Sequence, residues 1–210
     1  MRGIVAAVLW SIVCGSVVAS AAERADVSPS EERDLGSGHS FMSGIDGAAA
    51  FRVGDKAPAF SAIDLQGRWI PFRSLVGRRP VLLLFGAAAA DLGALDHART
   101  VFADMDVDAV AVLDRRSGSN ARWLERVGYR GHAISDPSGA IGALYGCLDA
   151  ATRRHVPAWF LIDEHGAVRG FERGTLPGPP ELVGFAAREL RRPLPPSAAG
   201  LVQRISMASP

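Results

Sequence analysis

The 210-residue sequence contains two cysteines, Cys14 and Cys147, and one lysine, Lys56. Two cysteines so far apart exclude a C-x-x-C redox pair and a cysteine-based zinc site. An excess of either charge is also missing. Twenty-three basic and 22 acidic residues leave a formal net charge of +1, and the arginines are scattered. That balance excludes a nucleic-acid footprint or a polybasic membrane patch. The histidines His39, His97, His132, His155 and His165 show no paired ligand spacing, and adjacent Asp96 and His97 on a helix would point about 100° apart. Gly36-Ser37-Gly38 has no strand before it and is no phosphate loop, and nothing reads as a nucleophile elbow. Neither a metal nor a cofactor is therefore expected, and no internal repeat is found.

Charged residues are absent between Arg2 and Glu23, where Ile4 to Trp10 form the apolar centre and Ala19-Ser20-Ala21 a small-residue cleavage pattern. This reads as a signal peptide over residues 1–21, and so as an exported protein, periplasmic or secreted. The other reading is an uncleaved anchor, because about twenty uncharged residues are long enough to span a bilayer. Gly15 and the serines around it dilute the apolar stretch and favour cleavage. A lipoprotein reading of Cys14 is disfavoured by bulky Val13 before it. Once the leader is removed, Cys147 stands alone and no intramolecular disulfide can form. Residues 22–50 read as a disordered linker and residues 191–210 as a Pro-rich tail, in which Leu201, Val202 and Ile205 could dock briefly. One domain over 51–190 remains.

Inside it, strand and helix patterns alternate. Continuous apolar runs at Val81–Phe85, 109–113 and 159–162 predict buried strands, the first two parallel and the third antiparallel to them. Apolar residues at Leu92, Leu95, Ala98, Phe102 and Met105 predict one helix over 92–105, and further helices are expected over 120–127, around Ile141 and Leu144, and over 181–190. Asp163-Glu164-His165-Gly166 reads as a hairpin turn before a return strand at 167–171. The expected class is α/β, with a mixed central sheet and helices on both faces. Between the first strand and the first long helix lies Gly86-Ala87-Ala88-Ala89-Ala90-Asp91. A strand running into a helix N-terminus stabilises a thiolate well, yet alanine methyl groups supply none of that chemistry.

Several motifs occur in a telling order: Gly54-Asp55-Lys56-Ala57-Pro58-Ala59-Phe60, the turn Asp64-Leu65-Gln66-Gly67-Arg68, Ser135-Asp136-Pro137-Ser138-Gly139 with Tyr145-Gly146, and Phe160-Leu161-Ile162-Asp163 with Gly166. With them, residues 51–175 resemble the thioredoxin-fold redoxins, particularly the peroxiredoxin-like alkyl hydroperoxide reductase/thiol-specific antioxidant family. The resemblance implies a thioredoxin-like fold and a family activity of thiol-dependent peroxide reduction. It also implies where the chemistry should sit. Peroxiredoxin site positions fall near Ala87, Asp91 and Ala94, and a C-x-x-C pair would fall near Ala90 and Gly93. None of these is cysteine. The arginine that the family places before its F-L-I-D strand is here Pro157, which instead fits the cis-proline position of thioredoxin-like proteins; a trans proline entering an edge strand is the alternative.

Cys147 reads first as a small buried hydrophobe, with a reactive thiol or an intermolecular pair as alternatives. Asp91 reads as a helix cap, or as an acid standing where the family has Thr or Ser. Three functions compete: a degenerate, non-catalytic redoxin that binds an unidentified protein or small molecule; residual thiol chemistry through Cys147 with a partner thiol; and a structural module held at a membrane if the N-terminal segment stays uncleaved. A polar pocket around Ala87 to Asp91 would favour ligand binding, and a plug of apolar side chains a structural role.

Overall fold

The computed structural model describes residues 51–201. The signal or anchor segment 1–21, the linker 22–50 and positions 202–210 of the tail lie outside the described residues. The elements run β1 (Ser61–Asp64), β2 (Trp69–Pro71), α1 (Phe72–Leu75), β3 (Val81–Phe85), α2 (Ala89–His97), α3 (Arg99–Asp104), β4 (Asp108–Leu113), α4 (Ser117–Val127), β5 (His132–Ser135), α5 (Ala140–Leu144), β6 (Ala158–Ile162), β7 (Val168–Arg173) and α6 (Pro179–Glu189). Seven strands form one sheet in the order β2-β1-β5-β4-β3-β6-β7. As predicted, β3 and β4 are parallel and β6 is antiparallel to β3.

All five residues of β3 are buried because both faces of the strand are covered. Side chains alternate across a strand, so Leu82 and Leu84 enter one core with Leu92 and Leu95 of α2, Phe102 of α3, Leu124 of α4 and Leu182 of α6. Val81, Leu83 and Phe85 enter the other, with Phe72 of α1, Ile141 of α5, Tyr145 and Phe160. Helices on both faces of a mixed sheet give the α/β class. Among the described residues, no helix is long and apolar enough to cross a membrane.

Two expectations need correction. The helix predicted over 92–105 is two helices, α2 and α3, meeting at Ala98, whose N–H reaches both Ala94 O at 3.2 Å and Leu95 O at 3.1 Å. Leu95, Ala98, Val101 and Phe102 all stay in the same core across the break, so the apolar spacing carries no sign of it. The stretch after Leu190 is also more than a loose tail. Arg192 donates to the carbonyls of Met105 and Asp106, Ser197 Oγ donates to Asp104 at 2.6 Å, and Ala198 is 2% exposed in the first core. Pro195 and Pro196 restrict the backbone of the 3-10 turn Pro196–Ala198, which lowers the entropy cost of inserting so small a side chain.

Both sheet hairpins use one device. Asp64 Oδ1 accepts from the N–H groups of Gln66 and Arg68, and Oδ2 from Arg68 Nε at 2.6 Å. Asp163 repeats this with the N–H groups of His165 and Ala167 and with Arg169 Nε at 2.8 Å. An Asp side chain that satisfies its own turn replaces water as the partner of those amides. Burial works against the charge on Asp163, but these hydrogen bonds and the Arg169 charge outweigh it and hold its carboxyl below the ordinary 3.8. Asp64 is held low in the same way by Arg68 and Gln66 against its own desolvation.

Gly86 closes the end of β3 against the segment entering β6. Its φ is +64°, and a Cβ placed there would lie 2.7 Å from Pro157 N and from Val156 C. Gly86→Ala combines a left-handed backbone penalty with a backbone clash, and should cost about 2–4 kcal/mol in denaturant unfolding. The aspartates predict acid sensitivity. With carboxyls lowered in the folded state, the unfolded chain takes up protons first on acidification. Their stabilisation is complete above about pH 5 and drains away as pH falls below the ordinary 3.8, and unfolding midpoints measured along a pH series should fall in that window.

Candidate functional site

The helix that follows the alanine run starts earlier than its apolar spacing suggests. Alanine is the best helix former, and α2 begins at Ala89, with Ala88 as N-cap at φ −79°, ψ 172°. Asp91 is therefore the third helical residue and not the cap itself. Its Oδ2 reaches back and accepts the Ala88 N–H at 2.8 Å. This fills one of the open amides at the helix start and sets a carboxylate against the positive end of the dipole. Where the family pattern calls for a reactive anion, the chain supplies its own. Ala90, Asp91 and Ala94 are all exposed on α2.

Ala87 and Ala88 form one wall of a pocket of about 260 Å³. The others come from the chain after β4 (Asp114, Arg115), from α4 (Asn120, Trp123) and from Arg154 and His155 ahead of β6. Ala90, Asp91, Ala94 and Pro157 take no part in its lining. Pro157 is exposed and lies against Gly86. The position expected to carry the family's arginine holds this proline, yet guanidinium groups do stand at the pocket, supplied by Arg154 three residues earlier and by Arg115. Arg154 Nη1 lies 3.6 Å from Asp114 Oδ2 and Arg115 Nε 3.9 Å from Asp114 Oδ1, both longer than a hydrogen bond. The Arg115 guanidinium also stands 5.3 Å from the Trp123 ring centroid, within cation–π range.

His155 forms the buried side of the pocket. Its Nε2 is 2.9 Å from Asp136 Oδ2, with both side chains 2% exposed, and its Nδ1 is 3.3 Å from the Val112 carbonyl. Burial would raise the Asp136 carboxyl, but the hydrogen bonds from His155 and from the N–H groups of Gly142 and Ile141 hold it below the ordinary 3.8. Gly142 permits this approach, since a Cβ there would lie 2.6 Å from His155 Cδ2. Asn120 is fully buried. Its Nδ2 donates to the Arg115 carbonyl at 2.7 Å and to Ser135 Oγ at 2.8 Å, while its Oδ1 has no hydrogen-bond partner. Among the described residues only Trp159 Nε1 shares that condition.

Cys147 lies away from this pocket. It is 0% exposed in the second core, among Phe85, Tyr145 and Phe160, and its thiol donates to the Gly142 carbonyl at 3.5 Å. Burial pushes the thiol up to about 12, with the Arg173 charge offsetting only part of that. A thiol so protonated and so enclosed is a poor nucleophile. No group of His, Cys, Asp and Glu among the described residues is arranged to hold a metal ion.

Sequence reasoning found Ala87 and missed Arg115, Asn120, Trp123 and Arg154. Asn120 and Trp123 were absorbed into a helix, and the arginines into a scattered population. A usable signal did exist: in open α/β sheets, ligand sites gather beyond the carboxyl ends of parallel strands, here the residues after Phe85 and Leu113.

The comparisons with known proteins agree with this architecture. The fold matches that of a peroxidoxin, BcpB, from Mycobacterium tuberculosis at TM-score 0.55 and 16% identity, covering 70% of this chain and 96% of that one. Enterococcus faecalis AhpC matches at TM-score 0.57 and 18% identity, covering 68% and 98%. The reduced 2-Cys peroxiredoxin of Plasmodium vivax matches at 0.57 and 21%, covering 66% and 82%. At such identities the likeness concerns the thioredoxin-like fold alone. No curated protein matches the sequence. The AhpC/TSA family model spans residues 53–171, from the chain ahead of β1 into β7, and on that span the protein belongs to the AhpC/TSA family.

Proposed function

We propose that this protein is an exported member of the AhpC/TSA family that has given up thiol catalysis and acts by binding a ligand or partner at the pocket beside Ala87 and Ala88. One observation carries the reading: the start of α2, where a peroxidatic thiolate would need open amides, presents alanines, and its Ala88 N–H is already bonded to Asp91. A thiol peroxidase needs the thiolate as nucleophile, so losing it removes the mechanism instead of slowing it. Cys147 does not take over, being sealed in the core with its proton held. The pocket is edged by charged and amide side chains instead of an apolar plug, which supports binding over a purely structural role. Export rests on the charge-free leader and its Ala19-Ser20-Ala21 site.

Purified protein should consume hydrogen peroxide no faster than a buffer-plus-thiol control, followed by loss of peroxide. Consumption by the wild type that Cys147→Ser abolishes would overturn the binding reading and install residual thiol chemistry in its place. Processing is checked separately. Intact-mass measurement of the exported protein should place the mature N-terminus near Ala22, whereas full-length chain recovered only from membranes would establish the anchor.

A further inference from the structure

Arginines that are scattered along the sequence are gathered in space. Residues 51–201 carry 19 basic and 16 acidic side chains. Five of the arginines, at 115, 116, 122, 126 and 154, stand on or beside α4, together with the acids Asp114 and Glu125. Setting those five and two aside leaves fourteen of each sign. The whole positive surplus of the described domain therefore belongs to this one surface.

Arg115, Ser119, Arg122 and Arg126 recur at helical spacing and line one cavity of about 420 Å³, and Arg115 also lines the pocket beside Ala87. All five arginines are exposed. Little of their charge is neutralised within the chain. Arg115 and Arg154 approach Asp114 only beyond hydrogen-bond range, and among the described residues Arg116, Arg122 and Arg126 form no ion pair. The helix is less stable for carrying them. Arg122 and Arg126 repel one another at i,i+4, and Arg115 and Arg116 set two cations at the positive end of the dipole, where the first turn holds no acid. A face that breaks two helix rules with no compensating contact is the mark of a functional surface.

We propose that this stripe docks an acidic segment of a partner protein, laid in extended form along α4 from Arg126 past Arg122 to Arg115 and Arg154. The match is one of length as well as charge. From position 115 to 126 the helical rise amounts to about 16 Å, which five residues of extended chain cover at ~3.3 Å each. Alternate residues of such a segment lie ~7 Å apart, close to the ~6 Å rise between Arg122 and Arg126, so acids at alternate positions meet successive guanidinium groups. Guanidinium forks suit carboxylates, and Trp123, with its ring centroid 5.3 Å from the Arg115 guanidinium, steadies that group. A bilayer or a nucleic-acid duplex calls for a broad basic face, whereas this strip is one helix wide, is bordered by Glu125 and lies on an otherwise balanced surface. The inference rests on the reading of the protein as a binder and names the partner's chemistry.

The probe is a synthetic heptapeptide, capped at both ends, with glutamate at alternate positions and serine between them. It is titrated into isotope-labelled protein while backbone amide shifts are followed. Saturable shifts should gather at residues 115–126, and the affinity should fall as ionic strength rises from about 0.01 M to about 0.15 M, over which the Debye length shrinks from ~30 to ~8 Å. Arg122→Gln with Arg126→Gln should weaken binding about fivefold. Glutamine forms helix as well as arginine does, so α4 should survive the change. Arg52→Gln with Arg73→Gln removes the same charge from exposed positions elsewhere and should leave the affinity within about twofold. Equal weakening by the two pairs would overturn the proposal by reducing the effect to overall charge, as would shifts spread over the whole domain or an absence of saturation. Tighter binding of phosphatidylserine vesicles or duplex DNA than of the peptide would overturn it in favour of another partner class. The peroxide assay decides the non-catalytic reading separately, whatever the peptide does.

Discussion

Asp136 and His155 meet at 2.9 Å in the interior, and the geometry of the whole site follows from that contact. Asp136 stands just beyond β5, takes the Gly142 N–H at the start of α5, and fixes the ring that enters from the chain ahead of β6. That ring in turn touches the last turn of β4 through the Val112 carbonyl and lies edge-on to Phe85 of β3 at 5.4 Å. Four strand ends and one helix are thereby tied to a single pair. Removing one member of such a buried pair costs about 3–5 kcal/mol, chiefly because the other is left charged or unbonded in a low dielectric. Ser135, the residue before Asp136, holds Asn120, so two neighbours at the end of β5 position two walls of the pocket.

How much of this was legible in the sequence depended on how local the signal was. The strands β3, β4 and β6 were plain because a strand covered on both faces must be apolar at every position, and few other structures demand that. The F-L-I-D hairpin was plain because the short polar side chain of Asp163 bonds to amides within four residues. The break at Ala98 left no mark, since neither glycine nor proline is needed there and the core spacing continues through it. Docking of the chain after Leu190 was hidden for another reason. It relies on carbonyls of Met105 and Asp106 that are far away in sequence and carry no residue-specific signature. The pocket is the extreme case, assembled from three separate segments whose residues each have an ordinary local use.

The contrast between frame and site is the more general lesson. The family's fold is retained from the chain ahead of β1 into β7, while the start of α2 carries alanines and an aspartate. A fold is held by many distributed contacts, so it tolerates the loss of any one of them, whereas nucleophilic catalysis depends on a single sulfur atom in one electrostatic setting. Alanine at that setting also improves the helix that begins there, and Asp91 removes the last demand for an outside anion.

Cys147 gives the domain an internal gauge. Its thiol is enclosed on every side and is the one free thiol among the described residues. Any reagent that alkylates it must wait for a local opening of the second core, where Cys147 is buried with Phe85, Tyr145 and Phe160. The rate at which this sulfur is captured therefore tracks how often the second core opens.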